Sequence, residues 1–301
     1  MIWISAALIT AAIMGVVAII DSHLISKRMP SLQTFLMPVG ILHLIFGLIT
    51  LGLYPLPGEV GTTPLVVAFA SGIARAIGVL LMLQAMRSEE ISRIIPVVHT
   101  FPIFVAILAV PLLGEALGYI EWLSIFITVT GAVLISVRRE ADGRGARLRK
   151  SFALLLVCSL LLGVANTASK YALDYVSFWN MYYINATCFG IIFLFLSVRP
   201  KVLKELMDMK ERTRALGLLT LNECIALVGI ILSFWAIEQG PVSLVSTILS
   251  TRPCFVFIYA LVLSRIFPAV LEERLSRGTL IIKITSIGLI ISGVTLLTLS
   301  G

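Results

Sequence analysis

The chain has 301 residues, of which 59% are hydrophobic and only 13% are charged, and its mean hydropathy is +1.05. In a soluble domain about a quarter of the residues are charged, so this composition excludes a water-soluble globular protein. The net charge of +7 does not indicate nucleic-acid binding, because the basic residues stand in short joints beside apolar runs, where retention on the cytoplasmic side of a membrane explains them.

Apolar runs long enough to cross a bilayer follow one another along the whole chain. A transmembrane helix needs about 20 mostly apolar residues, and the sequence lacks the alternating strands of about ten residues that build a membrane barrel. The first run begins at Ile2 with no basic residue ahead of it, unlike a secretory signal, and therefore predicts a helix that stays in place. The predicted spans are residues 2–22, 34–54, 63–86, 91–113, 118–137, 152–171, 179–198, 215–238, 243–264 and 278–299.

Basic residues alternate between the joints that separate these spans. Of the 23 Lys and Arg, 19 lie in or beside the joints after spans one, three, five, seven and nine, whereas the opposite face holds Lys170 alone. Positively charged joints remain in the cytoplasm, so we expect both termini to face outward. The segment 199–214 mixes basic and acidic residues and predicts a short interfacial helix.

Shared Pro, Gly, Ser and Thr positions indicate that the chain contains a duplicated unit. A unit with an odd number of spans that is copied in tandem enters the membrane from opposite sides, which agrees with the charge count. At an offset of 151 residues the matches are Ser92 with Ser243, Thr100 with Thr251 and Pro102 with Pro253, and at an offset of 162 they are Ser124 with Ser286 and Gly131 with Gly293.

These patterns together predict an all-α polytopic membrane protein with ten transmembrane helices arranged as two inverted five-helix repeats. The first repeat is expected in residues 1–137 and the second in residues 152–301, with a basic cytoplasmic linker at 138–151. The additional residues of the second repeat fit in the joint between Arg265 and Arg277.

Two runs beside the joint of spans four and five carry a family resemblance. They are Val110-Pro-Leu-Leu-Gly-Glu-Ala-Leu117 and Glu121-Trp-Leu-Ser-Ile-Phe-Ile-Thr-Val-Thr-Gly-Ala-Val-Leu-Ile-Ser136, and they resemble the fourth-to-fifth-helix signature of EamA-like transporters in the drug/metabolite transporter superfamily. In the second half Ser264-Arg-Ile replaces the usual Gly-Glu. The resemblance implies a ten-helix bundle that works by alternating access around a central cavity, and relatives that export amino acids, metabolites or drugs.

Ionisable side chains occur deep inside four of the predicted spans. A charged side chain at mid-membrane costs at least about 2.5–3.5 kcal/mol, so it usually faces a cavity or a partner. Arg75 lies in span three, His99 in span four, Glu223 in span eight and Arg252 in span nine. We therefore expect these four side chains to face one polar cavity.

Arg252 is the principal candidate for substrate binding. It precedes Pro253, which removes a backbone donor, and a guanidinium at this depth can hold a carboxylate or phosphate through two hydrogen bonds. The alternative is an ion pair of Arg252 with Glu223 that joins spans eight and nine. Glu223 is also the candidate for proton coupling, because burial raises the pKa of a carboxyl group and a neighbouring cation lowers it.

Each of the remaining candidates has two interpretations, one functional and one structural. Arg75 either pairs with Glu223 or faces the substrate, and His99 serves a proton step or is a hydrogen-bonded core residue. Tyr183 either contacts the substrate or belongs to the interfacial aromatic belt. The full set of predicted substrate-binding residues is Arg252, Arg75, His99, Thr251, Ser250, Asn222, Asn166 and Tyr183.

The sequence predicts neither a metal nor a cofactor. Cys158, Cys188, Cys224 and Cys254 fall inside predicted spans without metal-ligand spacing, and small buried apolar residues are the simpler interpretation of them. An intramembrane enzyme would need a metal motif, paired aspartates or a Ser/His pair, and we expect no enzymatic activity.

The function that these features favour is secondary transport. We expect an exporter or exchanger of a small anionic or zwitterionic metabolite, such as an amino acid, that works by alternating access in the plasma membrane of a prokaryote. The alternative is proton-coupled efflux of drugs or other cations, which needs an accessible acidic anchor such as Glu223. The partners expected are the small-molecule substrate and the lipid bilayer, and the protein is expected to be a monomer.

Overall fold

The protein is built from helices throughout the part that the structure covers. The computed structural model describes residues 2–58, 60–87, 91–134, 150–266 and 277–300, and no strand occurs among them. Residues 138–149 of the predicted linker 138–151 lie outside the described residues. Most of the joint between Arg265 and Arg277 also lies outside them.

In the first half the helices correspond to predicted spans one to five. A π-helical turn, Leu24–Arg28, continues the first helix, and a Ser31 cap begins the second. The helices are α1 (Ile2–His23), α2 (Leu32–Leu53), α3 (Thr62–Ala85), α4 (Ile91–Val98), α5 (Phe101–Leu113) and α6 (Tyr119–Leu134).

In the second half the helices correspond to predicted spans six to ten, with one short addition. The predicted short helix within 199–214 is α9, and its position at a membrane interface stays a prediction. The helices are α7 (Lys150–Leu173), α8 (Phe178–Ser197), α9 (Pro200–Met207), α10 (Arg212–Gln239), α11 (Val242–Leu249), α12 (Arg252–Ile266) and α13 (Arg277–Ser300).

Within the described ranges, seven helical segments are long and apolar enough to cross a membrane. They coincide with predicted spans one, two, three, six, seven, eight and nine. The other predicted spans contain shorter apolar helices at Phe101–Leu113, Tyr119–Leu134 and Ile284–Leu297. The all-helical, multi-pass membrane class predicted from the sequence is therefore confirmed.

Spans four and nine are each broken near the middle, whereas the sequence predicted continuous helices. A proline ring clashes with the carbonyl group four residues earlier and lacks the N–H that would bond to it. Four residues before Pro102 and Pro253 are Val98 and Leu249, where α4 and α11 end. Both breaks therefore follow from one Thr-x-Pro pattern, and in both the threonine carbonyl accepts from the amide three residues later, at 3.1 Å from Ile103 N and 2.9 Å from Cys254 N.

Helix pairing joins the two halves along their whole length. The closest partners are α2 with α8, α3 with α7, α1 with α10 and α6 with α13, and each pair takes one helix from each half. The apolar core forms two large clusters, one including Leu24, Phe35 and Met86 and the other including Ala7, Val105 and Val245. The halves therefore form one packed unit with an apolar layer toward each face.

The ends of several helices are tied together on the face that carries few basic residues. The ammonium group of Lys170 donates to the carbonyl oxygens of Ile237, Glu238 and Gly240 at 2.9–3.0 Å, at the end of α10. The carboxylate of Glu115, just after α5, accepts from the first amides of α11, including Ser243 N at 3.2 Å. These contacts satisfy helix-terminal groups that have no partner within their own helix, and their charges suit the helix dipoles.

The pair of α6 and α13 depends on two glycines that stand in equivalent positions of the sequence matches. A Cβ atom on Gly131 would lie 2.8 Å from the carbonyl oxygen of Ser286, and one on Gly293 would lie 2.9 Å from the carbonyl oxygen of Ser124. Gly131 of the first half thus faces Ser286 of the second half, and Gly293 of the second half faces Ser124 of the first. Small residues at such positions let helix backbones approach closely in a membrane.

We predict that Gly293→Ala destabilises the protein, because its methyl group would be forced against a backbone carbonyl that cannot rotate away. The expected loss is about 1–3 kcal/mol, the range for overpacking, and it is measured by thermal unfolding in detergent. Gly288→Ala is the matched control on the same helix, since nothing lies within 4 Å of a Cβ atom there. Equal stability of the two variants would contradict this account of the helix contact.

Candidate functional site

A cavity of about 190 Å³ lies between the two halves of the protein. Its walls come from α1, α2 and α3, the break between α4 and α5, α7, α8 and α10, and the break between α11 and α12. Its lining includes Phe35 and Met82 from one apolar cluster and Phe101 and Leu249 from the other. The cavity therefore lies between the two apolar layers.

Ionisable side chains from both halves reach this cavity. Arg75, His99, Glu223 and Arg252, the four side chains that the sequence singled out at bilayer depth, all line it. The expectation that they share one cavity is therefore met by the structure. The sequence analysis did not assign Asp21 and His43 to the site, but both also line the cavity.

Arg252 begins α12 directly after the break in span nine and is 9% exposed. Its Nε atom is buried and has no hydrogen-bond partner. Asp21 attracts it electrostatically, whereas no ion pair within 4.0 Å joins it to Glu223 in the described part of the chain. The alternative prediction of an Arg252–Glu223 ion pair is therefore wrong for this conformation.

Glu223 and Asp21 belong to one buried polar group that connects α1, α2 and α10. Asn222 is fully buried, and its Nδ2 atom donates to Oδ1 of Asp21 at 2.7 Å. Oε2 of Glu223 lies 3.6 Å from Nδ1 of His43, and this same nitrogen is 3.0 Å from the carbonyl oxygen of Val39. The His43 ring stacks on Phe189 with centroids 5.2 Å apart, so the imidazole is held in place from two sides.

Arg75 is held by neutral partners. Its Nε donates to Oδ1 of Asn185 at 3.1 Å and its Nη2 to Oγ of Ser169 at 3.1 Å. The guanidinium carbon also lies 5.1 Å from the ring centre of Phe234, in cation–π contact. No ion pair within 4.0 Å links it to Glu223 among the residues described here, so Arg75 has only neutral groups in direct contact at the cavity wall.

Several buried polar atoms near the two helix breaks lack a hydrogen-bond partner. They include Nδ1 of His99, Oγ1 of Thr251 and Oδ1 of Asn166. Asn166 donates through its Nδ2 to Oγ of Ser246 at 3.2 Å, which leaves its amide oxygen as an acceptor. A buried polar atom without a partner is costly, and donors and acceptors of this kind suit a polar ligand.

The other predicted site residues lie away from the cavity lining. Ser250 donates to the Thr247 carbonyl at 2.6 Å, and Thr251 is buried at the break. Asn222 reaches the site only through Asp21. Tyr183 packs against the apolar cluster that contains Val105 and Val245, and it does not line the cavity.

Aromatic side chains form much of the apolar wall, and they were not among the residues predicted from the sequence. Phe189 and Phe193, with ring centres 5.3 Å apart, line the cavity together with Phe35 and Phe234. Phenylalanines in an apolar span carry no signal that separates a cavity-facing ring from a lipid-facing one. Asp21 and His43 did carry a signal, since they are ionisable residues inside predicted spans. The described residues contain no group of three His, Cys, Asp or Glu side chains placed to hold a metal ion.

Comparisons with known proteins agree with this architecture. Residues 1–137 match the sequence model of the EamA-like transporter family, which belongs to the drug/metabolite transporter superfamily. The match confirms the resemblance seen in the sequence. No protein of curated function is similar enough in sequence to match the chain. Among solved structures, one described as "Crystal structure of protein" is similar over 99% of both chains with 17% identity and a TM-score of 0.69, which supports the fold alone.

We predict that the cavity is accessible to water while the outer surface of α10 is in lipid. In a variant whose native cysteines are replaced, Ser233→Cys on the cavity wall should react with a charged, water-soluble methanethiosulfonate reagent. Val228→Cys, on the same helix and 47% exposed, should react at least about tenfold more slowly, because a thiol in lipid does not ionise. Equal labelling of the two positions in membranes would contradict the assignment of these faces.

Proposed function

Because the first half of the chain matches the EamA-like transporter family, we propose that this protein is a secondary transporter whose substrate binds in the cavity between the halves. The proposed substrate is a small anionic or zwitterionic metabolite, such as an amino acid, and transport proceeds by alternating access as export or exchange. The observation that carries the proposal is Arg252, a buried cation at a helix break whose Nε has no partner and which lines the cavity.

The architecture proposed with this function is ten membrane spans in two inverted five-helix repeats. The helix pairs support it, since a two-fold relation between the repeats exchanges the α1–α10 pair with the α3–α7 pair and maps the α2–α8 and α6–α13 pairs onto themselves. The Thr-x-Pro breaks at Thr100 and Thr251 and the reciprocal contacts of Gly131 and Gly293 obey the same relation. Binding sites at such repeat interfaces, beside discontinuous helices, are common in secondary transporters.

Arg252 is suited to hold a carboxylate or phosphate group. A guanidinium offers two parallel N–H donors to such a group, and the low dielectric of the site strengthens the contact. Asp21 attracts Arg252 electrostatically, and a substrate anion would take over that role.

Acceptors on the neighbouring helices suit the ammonium group of a zwitterion. The amide oxygen of Asn166 is buried without a partner, and the carboxylates of Asp21 and Glu223 line the same cavity. The phenylalanine rings supply an apolar surface for a side chain or hydrocarbon portion. Arg75, held by Asn185 and Ser169, adds a second positive charge at the wall.

The cavity is displaced toward the face that carries most of the basic residues. Asp21, Met82 and Leu83 belong to the last turns of α1 and α3, next to basic joints, whereas the opposite ends are tied by Lys170 and Glu115. With the basic face in the cytoplasm, alternating access would require the Lys170 and Glu115 contacts to open. The proposed location is the plasma membrane of a prokaryote, with both termini outside.

Proton-coupled efflux of an organic cation is the second candidate. It is favoured by the two carboxylates, Asp21 and Glu223, and by the aromatic wall around Phe189 and Phe193, which can contact a cation through its ring faces. The two arginines that line the same cavity oppose it, because they would repel a bound cation. Selectivity for anions over cations therefore separates the two candidates.

We predict that Arg252→Gln raises the half-saturation concentration for an anionic substrate about 10- to 100-fold, the equivalent of losing one charge-assisted contact of about 1.5–3 kcal/mol. The measurement is counterflow in proteoliposomes with labelled amino acids, organic acids, sugar phosphates and quaternary ammonium compounds. Arg252→Lys should be intermediate, because it keeps the charge and loses the two-pronged contact. Lys201→Gln is the control, since Lys201 is exposed on α9.

Transport of quaternary ammonium compounds alone, unaffected by Arg252→Gln, would contradict the anion-binding proposal and favour the efflux alternative. Loss of counterflow for every compound in the Lys201→Gln control would show that the assay, and not the cavity, is affected.

We also predict that a reporter fused after Gly301 is located outside the cytoplasm. A phosphatase that folds only outside the cytoplasm should be active at this position, and a fluorescent protein that folds only inside should be dark. The reason is the concentration of basic residues in the joints after odd-numbered spans. The reverse pattern would overturn the proposed orientation.

A further inference from the structure

The charged groups of the cavity cancel one another when no substrate is bound. In their ordinary charged forms Arg75 and Arg252 carry two positive charges and Asp21 and Glu223 two negative charges, while His43 and His99 line the same space. With neutral histidines the sum is zero. A net charge buried at bilayer depth is strongly disfavoured, so the empty cavity is stable only in a balanced state of this kind.

An anionic substrate disturbs this balance. A monoanion bound to Arg252 adds one negative charge to a cavity whose two carboxylates already neutralise both arginines. It also displaces Asp21 as the group that attracts Arg252. Among the described residues the lining contains no further lysine or arginine. One added proton restores the zero sum.

Asp21 and Glu223 are placed to accept that proton together. They approach the cavity from the facing helices α1 and α10 and repel each other electrostatically. Asn222, the neighbour of Glu223 in the chain, donates to Oδ1 of Asp21 at 2.7 Å, which leaves Oδ2 of Asp21 as a site for a proton. Two carboxylates near one another bind one proton more readily than either would alone.

The other titratable groups around this pair are less suited to the task. His99 lies near Arg252, which repels a second positive charge. Nδ1 of His43 already lies 3.0 Å from the Val39 carbonyl. Tyr182, on α8, is in electrostatic range of Glu223 but is an ordinary neutral phenol at physiological pH. Lys170 contacts α10 only at its far end.

We infer that the transporter binds an anionic substrate together with one proton, held by the Asp21–Glu223 pair, so that the loaded and the empty cavity both carry no net charge. This inference rests on the proposed transport function of the cavity. It assigns the proton site to a pair of carboxylates, where the sequence indicated Glu223 alone, and it makes transport of a monoanion electrically silent.

The test uses proteoliposomes of the purified full-length protein with labelled glutamate and labelled lactate, both monoanions at neutral pH. Counterflow first establishes which of the two the wild-type protein exchanges. Accumulation is then measured under an imposed pH gradient, acid outside, with the membrane potential clamped at zero. A second measurement imposes an inside-positive potential at equal pH. The wild-type protein should accumulate the anion under the pH gradient and not under the potential.

Removing one carboxylate should change the force that drives accumulation from the pH gradient to the membrane potential. In Asp21→Asn or Glu223→Gln the empty cavity carries one positive charge, and a bound anion neutralises it without a proton. Each variant should therefore keep counterflow of lactate, which has no ammonium group to contact these carboxylates. It should lose accumulation of lactate driven by the pH gradient and gain accumulation driven by the inside-positive potential. A purely structural role of these side chains predicts loss of transport without this change of driving force. Cys224→Ser, beside Glu223 on the exposed side of α10, is the control that should behave as the wild-type protein.

The possible results distinguish a failure of the proposed transport function from a failure of the proton-binding inference. If wild-type protein exchanges neither anion, the proposed function for these anions fails and the inference fails with it. If it exchanges an anion but accumulates it under the potential and not under the pH gradient, only the inference is overturned. The inference is also overturned if both carboxylate variants keep the pH-driven accumulation. The same holds if His43→Gln abolishes the pH-driven accumulation while the carboxylate variants do not. If a variant does not fold, the wild-type comparison of the two gradients still decides.

Discussion

The balance of buried charge is the constraint on which the rest of this structure depends. The fold brings two arginines and two carboxylates to one cavity from both halves of the chain, and an unpaired charge at bilayer depth would cost several kcal/mol. None of the described ion pairs within 4.0 Å joins an arginine to a carboxylate inside this cavity. The arginines and carboxylates therefore share the cavity without forming tight pairs, which leaves each of them able to respond to a ligand.

The helix breaks follow from a second constraint, the need to satisfy backbone groups away from water. Pro102 and Pro253 interrupt spans four and nine, and irregular backbone at membrane depth is tolerated only where it is buried in protein or lines a cavity. Both breaks meet this condition, since His99 and Arg252 line the cavity directly beside them. The break places the first residue of α12 at the cavity wall, and this explains why Arg252 is both buried and without a partner at Nε.

Much of the site could be anticipated from residue type and position alone. Arg75, His99, Glu223 and Arg252 were predictable because an ionisable residue inside an apolar span has few stable environments. The same reasoning applies to Asp21 and His43, which are also ionisable residues inside predicted spans. For Asp21, distance from the predicted span end is a poor guide to depth, because the helix continues beyond that end. The π-helical turn at Leu24–Arg28 extends the first span past its predicted end, and Asp21 is correspondingly deeper.

The sequence by itself determined that this protein is a bundle of membrane-spanning helices, because hydrophobicity and segment length respond only to the thickness and polarity of the bilayer. It also determined which polar residues must find a protected environment, and its repeated Thr-x-Pro pattern contains the information for both breaks. Only the tertiary structure decided which charge faces which. Arg252 is attracted by Asp21, 231 positions away in the chain, and Glu223 lies beside His43. Such partners depend on how helices rotate and pack against one another, and neither rotation nor packing is encoded in the hydrophobicity of any single span.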